Sequence, residues 1–146
     1  MNRSGFVGEV ENAPDWMKGV TYDNVQAVAQ LPMAIQGAGD LISTAADMDI
    51  WMNALPSGKL ICQESYREMT TMVDGYGYGI TNGLRGAVSH TGGIGSYASL
   101  MYLNEEYGYN LFMVTGNASI YRLDVTQKAA TALLGALYTA VDAAYE

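Results

Sequence analysis

The only histidine of the chain, His90, lies in the run Ala87-Val88-Ser89-His90-Thr91-Gly92-Gly93-Ile94-Gly95-Ser96-Tyr97. Imidazole is the side chain best suited to moving protons near neutral pH. A short β-type run leads into this segment and two strongly apolar β-type runs follow it, so it reads as one wall of an active site. Two local serines could in principle pair with the ring. Ser89 points to the opposite face of an extended strand from His90, because side chains alternate; Ser96 lies beyond a glycine turn and could approach. The plain structural alternative is a solvated histidine on an edge strand.

Other signatures fall away on inspection. Gly93-Ile94-Gly95-Ser96-Tyr97-Ala98 formally fits the glycine fingerprint of dinucleotide sites, but that motif must open a helix, and a strand-like run follows here. No G-x-S-x-G elbow and no phosphate-binding P-loop occur in the sequence. With one histidine and one cysteine, Cys62, a zinc site of the usual ligand types is not expected, and no motif in the sequence calls for another cofactor. Cys62 itself reads as a small buried or half-buried residue.

Composition narrows the partners. At 146 residues, 49% hydrophobic and 15% charged, the chain is long enough to enclose one sizeable core and reads as globular. Its formal net charge is −8 and no basic run interrupts it, so nucleic acid is not an expected partner. The first residues lack the apolar segment of a signal peptide, and nothing approaches the ~18 consecutive apolar residues of a membrane span. The chain reads as soluble, with its compartment unknown.

The elements that must position His90 follow from periodicity. Residues 1–36, punctuated by Pro14, Gly19 and Pro32, are expected to be mostly irregular. Residues 37–75 form a helical segment. Ser43 or Thr44 caps the first helix, and Thr44-Ala45-Ala46-Asp47 has capping-box spacing. Met48, Trp51, Met52 and Leu55 make its apolar stripe, and Pro56-Ser57-Gly58 ends it. A second helix is predicted over Gln63 to Thr70, with Cys62 near its N-cap. Residues 76–117 are read as antiparallel strands: Gly75–Ile80 with both tyrosines on one face, a turn at Asn82-Gly83, then Ala87–Gly93. A hairpin of Tyr97–Leu103 and Tyr109–Thr115 follows. Residues 118–146 hold the last helix, about Leu123 to Ala144. Val125, Ala129, Leu133, Leu137 and Val141 form its core stripe, widened by Leu134 and Tyr138. The fold class is α+β, an antiparallel sheet with flanking helices in a single partial domain.

Several segments, in order, carry a resemblance to a known family. They are Gly39-Asp40-Leu41-Ile42-Ser43-Thr44-Ala45-Ala46-Asp47-Met48, Trp51 through Ser57-Gly58-Lys59-Leu60, Tyr76-Gly77-Tyr78-Gly79, His90-Thr91-Gly92-Gly93 with Tyr97, and Thr115-Gly116-Asn117. Together they resemble the serine β-lactamase and D-alanyl-D-alanine-peptidase family, closest to its class C-like branch of esterases and D-aminopeptidases. The resemblance implies that His90-Thr91-Gly92 occupies the family's Lys-Thr-Gly position on the sheet edge beside the active site. His90 would help orient the substrate carboxylate and tune proton transfers, and Thr91 would offer a hydroxyl. The Gly93 amide would be the second oxyanion donor, a group whose loss costs on the order of 3 kcal/mol.

The departure from that pattern is large. The family nucleophile is the serine of Ser-x-x-Lys, and none of the eight serines here has lysine three residues on. Tyr22-Asp23-Asn24 formally matches the family's Tyr-x-Asn but stands only 68 residues before His90 (90 − 22), closer than the family places it. The implied reading is the C-terminal portion of a serine hydrolase cleaving amides or esters through an acyl-enzyme, inactive alone. A small-molecule or peptide substrate would then need the missing N-terminal half. The alternative is a non-enzymatic module for binding or self-association. The strand Tyr109–Thr115, central in the parent fold, would here be an apolar edge open to a second copy of the chain.

Overall fold

Two β-rich runs separated by Glu105-Glu106-Tyr107-Gly108 have the composition of a hairpin, and this hairpin forms one half of the main sheet. The computed structural model describes residues 1, 3–6, 19–20, 26–27, 37–94, 97–116 and 123–145, with main chain alone at 19–20, 26–27, 123–127, 130, 141 and 145. In chain order the elements are β1 (Gly5–Phe6), β2 (Gly19–Val20), β3 (Gln26–Ala27), β4 (Leu41–Ile42), α1 (Ala45–Ala54), α2 (Gln63–Thr70), β5 (Thr81–Asn82), β6 (Val88–Ile94), β7 (Tyr97–Asn104), β8 (Tyr109–Thr115) and α3 (Leu123–Tyr145). The main sheet is antiparallel throughout, in the order β5-β6-β7-β8. Short pairs β1–β4 and β2–β3 stand apart from it. The class is α+β.

Register decides which residues meet. Val88 lies opposite Leu103, His90 opposite Met101 and Met101 opposite Phe112. Directly opposed residues of an antiparallel pair share a face, so these five point the same way. That face is covered by the two first helices. Met52, Ile80, Met101 and Leu103 are buried at its centre, with Met48, Trp51, Met69, Met72, Val88 and Phe112 packed around them. The predicted stripe of α1 is the one that enters this core. Thr44 caps that helix, its Oγ1 accepting from the Asp47 N–H at 3.1 Å. The buried Asp47 carboxylate accepts from the Arg3 N–H at 2.9 Å and the Ser4 hydroxyl at 2.7 Å, tying the chain's start to α1. α2 spans Gln63–Thr70 as read from sequence, with Cys62 at its N-cap.

The opposite face carries Ala98 and Leu100, both buried, and α3 packs over β7 and β8 there. The helix meets the sheet by a narrower stripe than periodicity suggests. Leu134 and Tyr138 are 1% and 6% exposed, whereas Leu133 and Leu137, expected in the core, are 53% and 37% exposed and Ala129 is also exposed. The side chains of Val125 and Val141 lie outside the described residues. In a helix this rich in alanine the larger apolar residues occupy two adjacent stripes, and polar anchors select one. The Tyr138 hydroxyl hydrogen-bonds the Tyr109 hydroxyl and the Leu84 carbonyl. Arg85 lies over the Tyr138 ring at 4.4 Å and bonds Asp142 through its two terminal guanidinium nitrogens at 2.8 and 2.9 Å. That pairing holds the Asp142 carboxyl below the usual aspartate range.

Two further expectations are corrected. Gly75–Ile80 is a loop, so the strands of the 76–117 region begin at Thr81. Asp74 and Gly75, at φ 53° and 83°, form a two-residue turn in which Val73 and Tyr76 exchange both main-chain bonds, the geometry that Asp-Gly favours. Cys62 is exposed; its thiol is used as a cap, accepting from the Ser65 N–H at 3.5 Å, and not as core. Of residues 1–36, the short strands β1 to β3 are described; Tyr22-Asp23-Asn24 lies outside the described residues.

The two stripes of α3 separate in a denaturation experiment. Leu134→Ala should cost about 2–5 kcal/mol of unfolding free energy, and Leu133→Ala less than about 0.5 kcal/mol. Urea midpoints at constant slope measure both, and equal losses would contradict the docking described.

Candidate functional site

His90 is the third residue of β6 and projects from the face shared with Met101. It is half-buried, with its Nε2 2.7 Å from the Tyr76 hydroxyl and the two rings edge-to-face at a centroid distance of 5.8 Å. Tyr76 reaches it because its loop is held by main-chain bonds. Beyond the Val73–Tyr76 turn, Tyr76 bridges Thr81, the Gly77 N–H bonds the Ile80 carbonyl at 2.8 Å, and the Tyr78 N–H bonds the Met69 carbonyl at 3.0 Å. Gly77 is required there: a Cβ would collide with the Met69 carbonyl oxygen.

Thr91 follows on β6, and its side chain leaves from the face opposite His90. The hydroxyl expected at the same site therefore does not join the imidazole. What lies beside His90 is main chain. The Gly83 N–H bonds the Ala87 carbonyl at 2.7 Å, so Ala87 directs its peptide groups toward β5. Antiparallel bonding repeats every second residue, and Ser89, Thr91 and Gly93 direct theirs the same way. β5 ends at the level of Ser89, and among the described residues no strand pairs with β6 beyond it on that side. Among the described residues the N–H groups of Thr91 and Gly93 thus face an open edge, and His90 projects from the same strand just before them. Gly92 presents only hydrogen on the His90 face, where a Cβ would meet the Ser99 hydroxyl.

Among the described residues the serines do not complete a catalytic set around this ring. Ser89 is buried on the other face and hydrogen-bonds Thr81 Oγ1 at 3.0 Å. Ser4 and Ser43 hydrogen-bond each other at 2.7 Å beside Asp47, at the start of α1. Ser96 and Asn117 lie outside the described residues. Among the described residues no three or more metal-ligating side chains converge, and no helix is long and apolar enough to cross a membrane. Tyr76 is the member of the site to which the sequence reading gave no role; its signal was the tyrosine–glycine alternation following an Asp-Gly turn.

Compared with known proteins, the chain matches no family model, no curated protein and no solved structure.

Amide hydrogen exchange tests the open edge. The His90 and Gly92 amides, turned toward β7, should be protected, while those of Thr91 and Gly93 should exchange at least tenfold faster. Equal protection at all four would reveal a partner on that edge.

Proposed function

We propose that the chain carries the substrate-orienting and oxyanion wall of a β-lactamase-related serine hydrolase acting on amide or ester bonds, with its nucleophile supplied from outside these residues. The observation that supports this most is the outer edge of β6, where two outward N–H groups, at Thr91 and Gly93, follow directly along the strand from the one imidazole of the chain. Such amides are fixed dipoles. Aimed at an acyl carbonyl oxygen, they stabilise the charge that develops as a nucleophile adds, without reorganising during the reaction. Gly93 would donate to that oxygen and His90 would orient the substrate's acceptor groups. Thr91 would contribute through its main chain. The missing Ser-x-x-Lys makes the chain a wall that does not start the chemistry.

With a chromogenic β-lactam and a short-chain nitrophenyl ester, the isolated chain should give no turnover above buffer. Turnover abolished both by His90→Ala and by a serine-directed inhibitor would overturn the external nucleophile. Ser-x-x-Lys and Tyr-x-Asn encoded upstream of Met1 would support it.

A second reading, self-association without catalysis, is favoured by one feature. β8 pairs with β7 alone among the described residues, contains no charged side chain, and leaves Val114 47% exposed. An uncharged edge is a template for another strand. Light scattering over a hundredfold concentration range should then show a dimer that Val114→Lys dissociates; a monomer at every concentration counts against this reading.

A further inference from the structure

We infer that Tyr76 is a positioning residue that fixes the tautomer of His90, so that the neutral ring carries its proton on Nδ1. The Tyr76 hydroxyl and His90 Nε2 are 2.7 Å apart, close enough for one hydrogen between them. Either the phenol donates to a bare Nε2, or a protonated Nε2 donates to the phenolic oxygen. The first arrangement is the stronger. A phenol is a good donor and a poor acceptor, because its oxygen lone pair is delocalised into the ring, whereas the bare nitrogen of neutral imidazole is a strong acceptor. The bond made by one ring nitrogen sets the state of the other, so Nδ1 becomes the N–H.

Tyr76 is suited to this because it is placed by main-chain constraints. The Asp74-Gly75 turn, the bridge to Thr81 and the close approach of Gly77 to Met69 bring its hydroxyl to Nε2, although the ring itself is about half exposed. The consequence is chemical. A ring locked this way offers a donor at Nδ1 and has its one acceptor nitrogen occupied, so in the neutral state it does not accept a proton from a nucleophile. It can bind an acceptor oxygen, a carboxylate or carbonyl, beside the Thr91 and Gly93 amides. Only the identity of that oxygen as part of an acyl substrate rests on the hydrolase reading; the tautomer does not.

Long-range proton–nitrogen correlation spectra of the uniformly nitrogen-15-labelled chain test this. There is a single histidine, so assignment is immediate. At alkaline pH, where imidazoles are neutral, wild type should show a pyrrole-type Nδ1 and a pyridine-type Nε2. Tyr76→Phe should move the proton to Nε2, the form favoured by imidazole in water, and Tyr78→Phe should leave the pattern of wild type. The amide spectrum checks that each variant is folded. A pyridine-type Nδ1 in wild type overturns the inference, as does a tautomer unaltered in folded Tyr76→Phe. Should Tyr76→Phe not fold, the wild-type spectrum decides by itself. Either overturning result leaves the hydrolase reading standing, and turnover in the ester assay leaves the tautomer standing.

Discussion

The antiparallel register that sets His90 against Met101 and Met101 against Phe112 is the constraint on which the rest depends. Strand side chains alternate with a period of two, so a slip of one residue would turn Met101 and Leu103 away from α1 and carry His90 to the α3 face. Burial of Met52, Ile80, Met101 and Leu103 specifies the register, each such side chain contributing roughly 1.5–3 kcal/mol. The imidazole is thus placed by the apolar residues opposite it. Its own contacts among the described residues, a hydrogen bond and an edge-to-face ring from Tyr76, orient the ring and are too weak to choose the face.

The other end of the sheet is organised by polar groups. Buried Asn104 donates to the Arg85 carbonyl at 2.9 Å and accepts from the Tyr107 N–H at 2.9 Å, satisfying the turn before β6 and the turn before β8 together. Arg85, at φ 51°, sits in a left-handed conformation that a non-glycine residue holds only where surroundings compensate. Asn104, the Tyr138 ring and Asp142 do so here. Leu84–Gly86 lies between β5 and β6, so this network fixes the turn that joins Asn82 to Val88 and sets those two strands side by side.

What the sequence made legible was what is locally encoded. The stripe Met48–Trp51–Met52–Leu55, the cap at Thr44, the bounds of α2 and the β7–β8 hairpin follow from short-range periodicity and capping chemistry. Gly75–Ile80 was not legible as a loop because alternation of tyrosine and glycine mimics a strand, while the Asp74-Gly75 turn reverses the chain one residue earlier. The docking face of α3 was obscured for a different reason. Leu133 and Leu137 fit a helical stripe as well as Leu134 and Tyr138 do, and the choice rests on Tyr109, Arg85 and Leu84, residues 29 or more positions away. At the site, His90 and the edge glycines could be read. Tyr76 as the partner, and the opposite direction of Thr91, required the register and the loop geometry.

That partial legibility bears on the chemistry. A self-contained serine–histidine site would need a hydroxyl on the His90 face within reach of a ring nitrogen. Ser89 is excluded by alternation and is engaged with Thr81. Ser99 shares the His90 face, opposite Gly92, yet among the described residues Nε2 is taken by Tyr76. A ring held in this way has its accepting nitrogen engaged and offers a donor at Nδ1, and among the described residues the outward main-chain amides of β6 are donors too. Donors alone stabilise an oxyanion and bind an acyl group; they do not create a nucleophile. Among the described residues the groups beside His90 are therefore donors, and the sequence holds no Ser-x-x-Lys that would add an activated hydroxyl to them.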